Sequence, residues 1–408
     1  MKILITTDTY SPMINGVVTS VKNLYHELKN GGHDVRILTL SHCGRETVEG
    51  DVYYVKSIPI GVYPDARVKL PFYNKLIQAI VDWRPEIIHS QTEFSMMLAS
   101  KYIANKLNIP HMHTYHTMYE NYLDYFLGGR IINKNLSAKI TQRMLNSLDG
   151  VIAATDKTKN KLLSYGVSKP IFVIPTGIEL RKFQQALSVE DKRQIMRDLQ
   201  IAPEDRIIVY VGRIAEEKNI GEILTALPDV IKIAPNVKML IVGGGPYLNS
   251  LKEQVENKKL ERHVIFSGMV HSDEVYKYYK MAEMFVNAST TETQGLTYIE
   301  ALSSGCPVVC RYDPCIDGVV EQGKNGYSYM DRGECAAFIA EILGDADLRD
   351  SMSKEALRKA NEYSSGVFAS RVLDKYRSTI HASKEVAIPL ARFMIPKILR
   401  SKRNKIRS

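Results

Sequence analysis

Two carboxylates eight positions apart, Glu292 and Glu300, flank Gly295 in the stretch Ser289 to Val309. The apolar run Met284–Ala288 before them reads as a buried strand, and Pro307–Cys310 after them as the next one. Between the two, a polar loop leads into a short helix from about Leu296 to Ser304. A helix that begins at the carboxyl end of a parallel strand points unbonded amides and a positive dipole end outward, which suits phosphate. Gly295 allows the close backbone approach. Carboxylates beside such a site suit sugar hydroxyls, because a carboxylate accepts two or more hydrogen bonds in a fixed plane. Taken alone, the spacing also fits a surface loop with two solvated glutamates.

Other chemistry-bearing residues also fall at strand ends. Arg213 lies just past the strand that ends at Val211, and Lys218 at the start of the next helix. Arginine offers phosphate a planar fork and lysine a point charge; a solvated face is the alternative. In Ile109–Glu120, His113 and His116 stand at the end of a strand, where α/β folds bind ligands, with an aromatic run after them. His116 is the site candidate, and His113 belongs to the core or supports its neighbour. Asn15-Gly16 precede the first helix without the G-x-G-x-x-G of a dinucleotide site, so Gly16 serves a ligand or a plain turn. Gly243-Gly244-Gly245-Pro246 reads as a tight turn, and Pro175-Thr-Gly177-Ile-Glu179 as structural.

The elements that must position these residues alternate strand and helix from the start. Ile3–Ile5 is a strand; Val21, Leu24, Tyr25 and Leu28 then recur at helical spacing until Gly31-Gly32. Further strands are expected at Val35–Leu38, Glu86–His89, Met112–His116, Val151–Ala154 and Ile171–Pro175. A polar, strand-free break lies between about Phe183 and Glu204. Alternation restarts with Ile207–Gly212 and runs through Met239–Val242, Val264–Phe266, Met284–Val286 and Val308-Val309. The expected class is α/β: two doubly wound, Rossmann-like domains facing a central cleft, residues 1–183 and 184–364. A helix over 365–385 is expected to cross back to the first domain, followed by a basic amphipathic tail over 386–408.

Composition narrows the function. A chain of 408 residues with 45% hydrophobic and 24% charged residues is an ordinary globular protein, too long for one core. Its five cysteines make no C-x-x-C pair and leave an odd count, which points to a reduced compartment. The opening segment reads as a first strand and not a signal peptide. No apolar run nears the roughly 18 residues of a membrane span. The formal net charge is +9, and the tail Val386–Ser408, with seven Lys/Arg and no acid, supplies most of it.

Two stretches read as membrane-facing. Leu127–Leu148 carries Arg130, Lys134, Lys139 and Arg143 without an acid, interleaved with Ile131, Ile132, Leu136, Ile140, Met144 and Leu145. Tyr119, Tyr122, Tyr125 and Phe126 lead into it. This fits a basic amphipathic helix on an anionic surface, or a helix packed on its own domain. In the tail, apolar residues from Ile388 to Leu399 precede a basic run ending at Arg407. Pro389 and Pro396 are expected to break it into a hinged interfacial segment. Each basic residue near an anionic leaflet contributes about 1 kcal/mol. A disordered tail binding nucleic acid is the alternative.

The pattern Glu292-x7-Glu300 followed by Gly305-x-Pro307-Val-Val resembles glycosyltransferase family 4, retaining enzymes of the GT-B fold. The resemblance implies that Glu292 holds the donor sugar's hydroxyls, Glu300 the ribose, and the amides of Leu296 and Thr297, next to Gly295, the diphosphate. Arg213 and Lys218 would neutralise the departing diphosphate, His116 would face the sugar, Gly16 would close over the phosphates, and Met269 and Val270 would hold the uracil. Gln294-Gly295 stands where the family often has Phe-Gly. Gln91–Ser95, His113–Glu120 and Thr291–Glu300 resemble the family's bacterial 1,2-diacylglycerol 3-glucosyltransferases. This implies a peripheral enzyme at the cytoplasmic face of the cell membrane, moving glucose from UDP-glucose to diacylglycerol with the α configuration kept. No tightly bound cofactor, no protein metal site and no nucleic-acid partner are expected, with Mg2+ as a stimulatory ion. The rivals are a second-step synthase adding glucose or galactose to a monohexosyl lipid, and a basic nucleic-acid-binding protein.

Overall fold

In the computed structural model, the described residues are 1–13, 15–59, 67–68, 74–116 and 134–403, with backbone alone for 68, 134 and 386–403. The chain forms two compact units, Met1–Pro175 with Phe368–Ser408, and Thr176–Val367.

The first unit is built on an eight-stranded sheet. Its order is Ile171–Val173, Gly150–Ala153, His111–Tyr115, Ile87–Ser90, Lys2–Thr7, Asp34–Leu40, Val52–Val55 and Thr47–Glu49. All neighbours are parallel except the edge strand Thr47–Glu49. Parallel strands covered on both faces need apolar residues on both, and the first strand supplies them. Ile3 and Ile5 pack with Val21, Leu24 and Leu28 of the helix Gly16–Asn30, and Leu4 packs with Ile77, Ile80 and Met96 on the other face. Phe368, Ala369, Val372 and Tyr376, from the start of the last helix, complete the first of these clusters. Tyr376 OH also lies 2.6 Å from His89 Nδ1.

The second unit holds a six-stranded parallel sheet, ordered Val264–Gly268, Val237–Val242, Arg206–Val211, Met284–Asn287, Val308–Arg311 and Gly326–Tyr329. Alternate residues of Ile207–Val211 again feed two clusters, one on each face. Both units are therefore Rossmann-like, and strand order reverses beside Lys2–Thr7 in one and beside Arg206–Val211 in the other. Ligands of open α/β sheets bind at the carboxyl ends of strands at such a point.

Two expectations shift. The first crossing falls at Pro175, upstream of residue 183, because Phe183 is buried in the second unit's core and Ile178 N–H donates to Tyr363 O (2.9 Å) in that same unit. The hinge expected at Pro389 and Pro396 is absent: the backbone is helical from Ser365 to Arg403. A proline removes one amide donor, but the bonds on either side can carry the helix past it. Pro228 lies inside the helix Ile220–Ile233 in the same way. Of the basic stretch 127–148, residues 127–133 lie outside the described residues, as do the aromatics from Tyr119 to Phe126, and Lys134–Leu145 is helical. Among the described residues, no helix is long and apolar enough to cross a membrane.

Candidate active site

In the second unit the adjacent strands Arg206–Val211 and Met284–Asn287 deliver most of the expected site residues to one edge. After the first strand, one 3-10 turn, Glu216–Lys218, and a left-handed Asn219 (φ 51°) lead into the helix Ile220–Ile233. After the second, Asn287 Oδ1 accepts from Ser289 N–H (2.7 Å) and the loop runs on to Glu292. The two loops meet there. Lys218 Nζ donates to Glu292 Oε1 at 2.6 Å, with both side chains only 16% exposed. Arg213 pairs with Glu217, and the guanidinium remains the more exposed of the two. So the residue expected on the sugar and the residue expected on the diphosphate hold each other.

Gly295 has φ 71°, and a Cβ there would stand 2.4 Å from Tyr298 Cδ2, so local geometry requires glycine. It opens the helix Leu296–Ser303, whose first turn has no side-chain cap. The amides of Leu296 and Thr297 lack acceptors one turn back, as at any helix start. Glu300 sits one turn further on and accepts from Tyr279 OH (3.1 Å); burial raises its pKa, against the Tyr279 bond and the charge of Lys182. Met269 is 84% exposed, while Val270 packs against the second unit's core.

Two contacts here were not foreseen. The glycine turn passes backbone to backbone against the Arg213 loop: Ile214 N–H donates to Gly244 O (2.9 Å), and a Cβ on Gly245 would stand 2.2 Å from Ile214 O. The triple glycine is the only local signal of this. Gln294, buried at 5% exposure, bonds both ways with the backbone of Thr176: Nε2 donates to its O and Oε1 accepts from its N–H, each at 2.8 Å. A polar residue where the resembling family often has Phe was the signal for it.

The first unit carries His116 and Gly16. His116 follows the strand His111–Tyr115, and its Nε2 donates to Gln91 Oε1 (2.8 Å). Burial, with a smaller contribution from His113, draws its pKa down to about 3, so the ring is neutral with its lone pair on Nδ1. His113 is fully buried between Ser90 Oγ (2.9 Å) and Glu93 Oε1 (3.2 Å). At the sheet's reversal point Asp8 and Thr92 interlock: Asp8 N–H donates to Thr92 Oγ1 (2.7 Å), whose hydroxyl donates to Asp8 Oδ2 (2.6 Å). Asp8 Oδ1 also accepts from Met96 N–H (3.1 Å), tying the first strand to the helix Ser95–Leu107. Gly16 is the exposed first residue of its helix, which Asn15 caps through Val18 N–H (3.0 Å). Among the described residues, no three His, Cys, Asp or Glu are grouped to hold a metal ion.

Residues 14–182 match the profile of Glycosyltransferase Family 4, and residues 191–359 that of glycosyl transferases group 1. Alpha-monoglucosyldiacylglycerol synthase of Streptococcus pneumoniae is 36% identical over 383 residues, covering 93% of this chain and 86% of that protein. The chain is a family 4 glycosyltransferase. The Alpha-monoglucosyldiacylglycerol synthase of Acholeplasma laidlawii is 32% identical, with 90% of this chain and 95% of that protein covered. Among solved structures, Anabaena HepE in complex with UDP superposes with a TM-score of 0.72 at 17% identity, covering 93% of this glycosyltransferase and 100% of that chain. Sucrose-phosphate synthase from Thermosynechococcus elongatus gives 0.72 at 18% identity, with 94% and 100% covered. The fold of this glycosyltransferase is GT-B.

Proposed function

We propose that this glycosyltransferase moves glucose from UDP-glucose to the 3-hydroxyl of 1,2-diacylglycerol and retains the α configuration. The observation that carries the reading is the Lys218–Glu292 pair at the strand ends beside the uncapped helix start at Leu296. A diphosphate bound at the amides of Leu296 and Thr297 would draw Lys218 toward its oxygens. Glu292 would then be released to the sugar's hydroxyls. Arg213 adds a second cation for the charge that grows on the leaving phosphate, where preorganised donors act most strongly. Glu300 takes the ribose, Met269 and Val270 the base, and Gly16 approaches the phosphates. His116, neutral with Nδ1 as its acceptor atom, takes a hydroxyl of the transferred sugar. The departing phosphate oxygen accepts the acceptor's proton on the same face.

The names of the two curated relatives support the lipid acceptor. A peripheral place on the cytoplasmic, anionic membrane face is supported by two helices of the first unit. Leu136 and Ile140 are exposed one turn apart, next to Lys139 and Arg143, on the acid-free helix Lys134–Leu145. Phe94, just before the equally acid-free Ser95–Leu107, and Leu98 and Tyr102 within it are exposed at four-residue spacing. Product analysis with UDP-glucose and UDP-galactose, each against diacylglycerol and monoglucosyldiacylglycerol, tests the reading. Glucosyldiacylglycerol as the chief product is expected. Transfer only to the monohexosyl lipid would replace it with the second-step reaction.

A further inference from the structure

The side chain of Gln294 ties the donor loop that carries Glu292 to a distant part of its own unit. Gln294 reaches both backbone polar groups of Thr176, a residue 118 positions earlier, and is itself almost wholly buried. Two bonds to one residue's N–H and C=O fix the amide's distance and its rotation together. Thr176 is the first residue of the second unit. Two residues on, Ile178 N–H donates to Tyr363 O (2.9 Å) and Ser365 N–H donates to Ile178 O (2.9 Å), so the arriving segment lies hydrogen-bonded beside the departing one. The chain leaves this unit after Val367. Gln294 therefore stands between the donor loop and the paired segments through which the chain enters and leaves.

We infer that Gln294 is a positioning residue that sets Glu292 and the Leu296 helix start against these paired segments and relays donor binding to them. This rests on the reading of the Glu292 loop as the donor site. Glu292 lies two residues before Gln294, and Gly295 directly after it begins the phosphate-facing helix. A loop that shifts when a diphosphate binds must carry Thr176 along or break both bonds. No smaller residue repeats the contact: alanine has no amide, and asparagine is one methylene short. Glutamate is the informative variant. Its carboxylate accepts from Thr176 N–H but sets a second lone pair against Thr176 O, whereas the protonated acid can donate there and restore both bonds.

The test uses full-length wild type, Gln294→Ala and Gln294→Glu. UDP binding is measured by calorimetry, and amide exchange over Thr176–Ile178 is followed at one pH with and without UDP. Turnover of UDP-glucose on diacylglycerol in micelles is followed from pH 5.5 to 8. In wild type, UDP should slow exchange over Thr176–Ile178 at least about fivefold; in Gln294→Ala it should still bind but leave that exchange unchanged. Gln294→Ala should lower kcat about tenfold with KM for UDP-glucose within about threefold. Gln294→Glu should recover relative to wild type as pH falls, by about tenfold over the range. A flat ratio, or an alanine variant with reduced melting temperature and unchanged kcat, would reduce Gln294 to a packing role. Absence of UDP protection at Thr176 in wild type also overturns the inference. Should wild type fail to turn over UDP-glucose, the proposed reaction falls while the exchange measurement still decides the case of Gln294.

Discussion

Lys218 Nζ and Glu292 Oε1 stand 2.6 Å apart across the ends of two neighbouring parallel strands. Each therefore neutralises the other, and the pair supplies separate charges to a ligand only once the ligand comes between them. A sugar diphosphate has the groups to do this, anionic oxygens for the lysine and hydroxyls for the carboxylate.

Glu292→Gln and Lys218→Ala should each lower kcat by about 100-fold or more, since a charged contact completed in the transition state is worth about 3 kcal/mol. The fold should survive, with melting temperature as the control. Near-normal turnover at saturating UDP-glucose in either variant would remove both residues from the site.

His116→Ala should cut turnover by a similar factor and leave UDP affinity within about threefold, because the proposed reading puts the ring on the sugar and not on the nucleotide. A UDP affinity lowered as much as the rate would move His116 to the nucleotide.

Stability should fall as pH drops from 7 to 5. Burial draws His111 and His116 down to about 3 and His89 well below the usual histidine value. The unfolded chain takes up these protons near pH 6.5, whereas the folded one does not, so each group costs stability on the way down. Asp8 works in the other direction. Burial raises it to about 6, so its contribution is full below the ordinary carboxylate value and is lost as pH climbs through 6. Glu300, which burial also raises, works with Asp8, but the three histidines outweigh these two carboxyls, and the melting temperature should decline toward pH 5. His116→Gln should flatten the decline, and a melting temperature that rises over that range would contradict the assignment.

Gly295→Ala should weaken UDP binding about tenfold and lower the melting temperature. The left-handed backbone costs a residue with a Cβ about 1–2 kcal/mol, and the clash with Tyr298 adds to it. Unchanged UDP affinity would separate this helix start from the diphosphate.

Ending the chain at Glu385 should weaken binding to phosphatidylglycerol vesicles and make the remaining binding less sensitive to salt, because the tail holds most of the net charge. UDP binding should not change, and turnover in vesicles should fall more than in micelles. Equal sedimentation of both forms with vesicles at low salt would end the anchor reading.

The strand ends were legible because apolar runs such as Met284–Phe285–Val286 stop abruptly at polar or glycine-rich loops, a local signal that survives folding. The edge strand Thr47–Glu49 and its neighbour Val52–Val55 were not read, since three or four residues, those of the edge strand all exposed, carry no period to detect. Pro389 and Pro396 were read as breaks from local chemistry that the long helix overrides. The partners of the site residues were the least legible. Nothing near Gln294 names Thr176, and nothing near His89 names Tyr376, 287 positions away. Such pairs exist only after two sheets have set the register of their strands.

The paired segments at Ile178 and Ser364 have a further consequence for the architecture of the gene. The second unit is an insert within the first, and its two ends meet side by side. A module with adjoining ends can be excised by two cuts and closed by a short linker, or exchanged for a relative's equivalent without restringing the host domain. New termini opened in an exposed loop of the insert would give a circular permutant in which the host domain becomes the continuous middle of the chain.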